Sequence, residues 1–162
     1  MKNFHVMRIC FLVFFVDVSP VLASPPSKVF ANGTTTIAAT LADSKVVANI
    51  QTATTDGHSL YVCSGGRTVC SPLEKLELRV GSKKVWVPDS VVASLTDVNS
   101  ASMSNNGWTQ YVLTLDCGDA AAAVRVRVLF DQHRVIEREV VSGEAGMVTE
   151  RTYYEDMSGA FK

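Results

Sequence analysis

Residues 124–154, VRVRVLFDQHRVIEREVVSGEAGMVTERTYY, decide the fold. Val124, Val126 and Val128 alternate with Arg125 and Arg127, the period of a strand with one face in the core and one in solvent. A second run over 134–141 follows Asp131-Gln132-His133. A three-residue loop there puts Arg127 opposite Glu137, Arg125 opposite Glu139, Val128 opposite Ile136 and Val124 opposite Val140. A two-residue loop would instead set Val128 against Glu137 and Val126 against Glu139. Because a one-residue slip turns every side chain to the other face, the pattern selects the odd loop. The next turn, Ser142-Gly143-Glu144-Ala145-Gly146, carries two glycines that can adopt positive φ. It sets Glu137 opposite Arg151 and Arg138 opposite Glu150. A three-stranded antiparallel meander over 123–154 follows, with one misfit: Arg138 lands on the face of Val126.

Working outward, Tyr111, Leu113 and Leu115 alternate with Gln110, Val112 and Thr114, so a strand over 108–116 precedes the meander, joined through Cys117-Gly118-Asp119. Leu76, Leu78 and Val80 alternate with Lys75, Glu77 and Arg79; this strand, 74–80, pairs with 84–87 around Gly81-Ser82-Lys83. Segments 34–41, 45–54 and 58–63 are rich in Thr, Val and Ile and read as strands. The one helix signal is Pro88-Asp89-Ser90, enough for a single capped turn. The expected fold is all-β, or β-rich with one short helix: an antiparallel sandwich or open barrel of roughly seven to nine strands ending in the three-stranded meander.

Residues 1–23 have the form of an export signal. Lys2 and Arg8 precede the apolar run Ile9–Val16, and Val21-Leu22-Ala23 is a small-x-small cleavage site. The apolar run is about half the ~20 residues that span a bilayer, so no membrane span is expected after cleavage. The remaining boundaries are an extended arm over 24–33 with two prolines, one β domain over 34–156 and a tail over 157–162. Losing Lys2, Arg8 and Asp17 reduces 15 basic and 16 acidic residues to 13 and 15. That balance excludes the basic footprint of a nucleic-acid binder. A chain 47% hydrophobic and 19% charged can bury a core, which excludes a disordered protein.

Periplasmic or secreted placement favours oxidised cysteines. Cys63 and Cys70 flank the glycine-rich Ser64–Val69, so they form the expected disulfide; Cys117 is left buried and free, or alternatively pairs with one of them across strands. No residue is assigned to catalysis, to a metal or to a cofactor. G-x-S-x-G, C-x-x-C and H-E-x-x-H motifs are absent from the sequence. His58 and His133 sit at turns, and Glu137, Glu139 and Glu150 belong to the charged strand pattern.

Three residues are candidate contacts for a protein partner. Arg67 lies at the tip of the loop that the disulfide would pre-organise. Trp86 and Tyr154 are aromatic residues of the kind that dominate interfaces. Neighbours on a strand face opposite ways, so one of Tyr153 and Tyr154 is exposed. In size, export and cysteine use, the chain is similar to small exported bacterial β-proteins that bind another protein, such as periplasmic inhibitors and immunity proteins. A non-enzymatic binding protein is therefore the first expectation. The alternatives are an accessory component of an envelope or secretion assembly, docking through 24–33 or an open strand edge, and a small envelope hydrolase using His58 or His133.

Overall fold

In a computed structural model, residues 22–55, 63, 68–107, 109–119 and 122–155 are described. The leader up to residue 21, His58, Arg67, Trp108, the 58–62 part of the expected strand and the 157–162 tail lie outside the described residues. Two antiparallel sheets face each other in a β-sandwich, with strand orders β2-β3-β4-β5 and β1-β6-β7-β8-β9-β10. The strands are β1 Ser27–Lys28, β2 Gly33–Leu41, β3 Ser44–Thr52, β4 Leu73–Val80, β5 Lys83–Lys84, β6 Val98–Asn105, β7 Tyr111–Cys117, β8 Val124–Phe130, β9 Val135–Ser142 and β10 Val148–Tyr153.

Strands β2–β5 and β6–β10 each pair antiparallel in chain order, while β1 adds at the edge of β6 and residues 53–72 connect β3 to β4. Ala42 and Asp43 take φ of 46° and 64°, the mirror-image turn whose twist suits a two-residue hairpin between β2 and β3. Gly81, at φ 60°, turns β4 into β5 one residue earlier than expected, with Val80 opposite Lys83. Ile37, Ala48, Ile50, Leu76 and Leu78 of one sheet meet Met103, Leu113, Leu115, Val126, Val128 and Phe130 of the other in one core. Each fully buried Val, Leu, Ile or Phe contributes about 1.5–3 kcal/mol. The Pro88 signal yields one 3₁₀ turn, Asp89–Val91, without a side-chain cap; buried Val91 anchors it.

Two segments differ from the sequence expectation. Strand β6, VNSASMSN, forms where the sequence carries little strand signal, because serine and asparagine have low strand propensity. Its Ala101 and Met103 are buried, whereas Ser100, Ser102 and Ser104 alternate with them on the outer face. The 24–33 arm is extended and engaged. The Ser24 N–H donates to the Met103 carbonyl at 2.7 Å, the Ser24 hydroxyl accepts from Met103 N–H, and Ser27 and Lys28 pair with Ala101 and Ser100.

The meander is present, but its register is shifted by two residues in each hairpin. The first loop has four residues, Phe130 lies opposite Val135, and Ile136 is an extra, bulged residue before Glu137 pairs with Leu129. Four plus one bulge keeps the odd parity, so the faces are as expected while the partners change. Arg127 lies opposite Glu139, Arg125 opposite Val141 and Val128 opposite Arg138. The cause is local and tertiary together. The Asp131 carboxylate accepts from the His133 and Arg134 N–H groups at 2.7 and 2.9 Å, which draws Arg134 into the turn. The Val135 N–H is taken by the Trp86 carbonyl from outside the hairpin. In the second hairpin Thr149 is the extra residue, and Arg151 lies opposite Glu139.

Of the expected ion pairs, Arg151–Glu137 (3.1 Å) and Arg138–Glu150 form as diagonal contacts. Arg127 pairs with Glu139 at 2.9 Å and Arg125 with Asp116 at 2.8 Å, in place of Glu137 and Glu139. Arg138 does face inward, at 4% exposure. Its Nη1 meets the half-exposed Glu150 carboxylate, while its Nε is buried without a hydrogen-bond partner.

Candidate protein-binding cleft

The sequence Lys83-Lys84-Val85-Trp86-Val87-Pro88 leaves one sheet and joins the other. Val85 N–H donates to the Leu78 carbonyl at 2.9 Å, the last bond to β4. Trp86 N–H then donates to the His133 carbonyl at 2.8 Å, and the Trp86 carbonyl accepts from Val135 N–H at 2.9 Å. Both backbone groups of Trp86 are thus fixed by the β8–β9 hairpin. Alternation along this strap buries Val85 and turns Trp86 out, leaving the tryptophan 55% exposed. Pro88 ends the strap because it has no N–H to continue the pairing.

A cleft of about 470 Å³ opens beside Trp86. Val85, Val87, Pro88 and Val92 supply apolar lining, and Glu74, Glu77, Lys84, Asp89 and His133 add polar groups. Lys75, 2.8 Å from Glu77, and Lys84, 3.8 Å away, hold the Glu77 carboxyl below its ordinary range, so it stays charged into mildly acidic solution. The lining has both signs of charge around an exposed aromatic ring. That composition suits recognition of a polypeptide surface better than of a simple anion.

The fold brings Trp86 and His133 together, a juxtaposition the sequence did not reveal. They meet through an isolated parallel bridge between Trp86 and Arg134, formed between segments far apart in the chain. His133 is exposed, and among the described residues its ring makes neither a hydrogen bond nor an ion pair. Tyr154 is not on the exposed face: it packs against the core with its hydroxyl buried, and Tyr153, 62% exposed, is the outward member of the pair. The parity of the β9–β10 pairing, which puts Tyr154 on the face of Arg138, sets this choice. Tyr154 is linked to the cleft only through its carbonyl, which accepts from Arg134 at 2.8 Å.

At the far end of β3 and β4 the Cys63–Cys70 disulfide is formed, with Cα atoms 5.6 Å apart. Ala53 and Thr55 N–H groups donate to the Pro72 and Cys70 carbonyls, carrying the β3–β4 pairing out to it. The Thr55 hydroxyl also bonds both backbone groups of Cys70. Cys117 is free and buried between the sheets. Burial first, and Asp116 second, push its thiol up to about 12, which leaves it an unreactive core residue.

On the outer face of the six-stranded sheet, Arg127, Glu139, Arg151 and Glu137 form a continuous ladder of ion pairs. Its cations are paired with carboxylates, so it is an internally neutralised surface. Among the described residues no three His, Cys, Asp or Glu side chains group so as to hold a metal ion, and no helix is long and apolar enough to cross a membrane. In comparisons with protein-family models, curated proteins and solved structures, none matches the chain.

Proposed function

We propose that this chain is an exported, non-enzymatic protein that acts by binding a protein partner, in the manner of a periplasmic inhibitor or immunity protein. The observation that carries this is Trp86: a half-exposed tryptophan whose backbone is bonded on both sides beside a cleft of mixed charge. A ring that stays in water in the free protein, on a backbone already ordered, loses little entropy on docking and gains much by burial. The disulfide and the leader sequence support export. Docking of a free 24–33 arm into a larger assembly has less support, because that arm is engaged with β6.

The test uses the exported protein as bait on envelope extract, beside Trp86→Ala. Wild type should retain one defined protein. Trp86→Ala should bind it at least about 30-fold more weakly while melting at the same temperature. Equal retention by both baits, or no protein retained by wild type above a control, would reject the proposal.

A further inference from the structure

We infer that the outer edge of β2 pairs with the same edge of a second copy, joining two sandwiches through one continuous sheet. Three of the four sheet edges are guarded. β1 is two residues long, follows Pro25-Pro26 and carries Lys28; β5 is two lysines; β10 is bulged at Thr149 and carries Glu150 and Arg151. Short length, proline, bulges and charge are the devices that block edge-to-edge pairing. β2 has none of them. It runs nine residues, GTTTIAATL, without a charge or a proline, and its register with β3 is unbroken from Gly33–Thr52 to Leu41–Ser44.

The turn at Ala42-Asp43 fixes which backbone groups are free. In a two-residue hairpin the residues flanking the turn exchange both hydrogen bonds, so Leu41, Ala39, Ile37 and Thr35 bond β3. Thr34, Thr36, Ala38 and Thr40 point their N–H and C=O groups away from the sheet. Among the described residues no backbone group meets them. These four residues are also exposed.

The edge is complementary to itself. A two-fold axis normal to a sheet preserves its faces, so residues opposite each other across it share parity. Centred on Ile37, the axis sets Thr34 opposite Thr40 and Thr36 opposite Ala38 of the second copy. All four outward residues are used, making about eight backbone hydrogen bonds. For β10 the corresponding central registers oppose Glu150 to Glu150 or Arg151 to Arg151, which is unfavourable. β2 and β5 are opposite edges of their sheet, so the joined eight-stranded sheet carries its two Trp86 clefts at its two ends. Such a pair would bind a partner array bivalently. The inference stands on β2 alone and does not require the Trp86 proposal.

A strand pair buries less than a standard interface, so dissociation in the micromolar range is expected. Sedimentation of the exported protein over about 1–200 µM should show a reversible monomer–dimer equilibrium. The double substitution Thr36→Lys with Ala38→Lys changes exposed positions only and puts like charges opposite each other. It should weaken the dimer at least about tenfold with an unchanged circular dichroism spectrum. Thr36→Glu with Ala38→Glu should do the same, and mixing the two variants should restore a dimer, since position 36 of one copy lies opposite position 38 of the other. A monomer throughout the range, a dimer indifferent to the lysines, or no recovery on mixing would overturn the inference. Should the variants fold poorly, amide exchange in wild type decides: the Thr36 and Ala38 amides should slow with rising concentration, and exchange independent of concentration would overturn it.

Discussion

Phe130→Ala is expected to lower the unfolding free energy by about 3–5 kcal/mol and the melting temperature by about 10–20 °C. Phe130 is fully buried, and its ring lies 5.7 Å from that of Tyr111, directly opposite it on β7. It sits at the end of β8, where the strand enters the Asp131 turn. Truncation removes transfer energy and leaves a cavity that neighbouring strands, fixed by ladder bonds, refill only in part. Chemical denaturation with circular dichroism measures it. A loss under about 1 kcal/mol would mean that the two sheets do not close on this residue.

The second large effect concerns the disulfide. Replacing Cys63 and Cys70 together by serine should cost about 2.5 kcal/mol, because the closed loop is short and the constraint acts on the unfolded chain. Wild type should lose the same amount in reductant, whereas the double serine variant should be indifferent to it. Cys117→Ser should leave the sensitivity to reductant intact, since Cys117 is free and lies in the core. A wild-type protein equally stable with and without reductant would contradict the pairing.

Much of the fold is legible from local pattern. Leu113, Leu115, Val126 and Val128 alternate with polar residues, and such alternation survives in three dimensions because the pleat imposes it. The parity of the β8–β9 and β9–β10 hairpins is legible for the same reason. Their partners are not, because the Asp131 turn and the bulges at Ile136 and Thr149 each move the register by two while preserving the faces. Strand β6 hides because its outward positions are serines, and its signal reduces to Ala101 and Met103. The disulfide is legible from Cys63 and Cys70 flanking a short glycine-rich spacer. The cleft is not: Trp86 and His133 meet through a bridge between distant segments, which no periodicity encodes. The exposed member of Tyr153 and Tyr154 is legible too, because the parity of the second hairpin sets Tyr154 on the face of Arg138 and turns Tyr153 out.

Amide hydrogen exchange of the protein with and without the partner it captures reads whether that partner docks on the face around Trp86. Protection should appear in 84–92 and at 132–134, the strap and the hairpin tip that line the cleft. Protection confined to other surfaces, such as β10 or the arm along β6, with the strap unchanged, would put the docking face elsewhere and rule out Trp86 as its anchor.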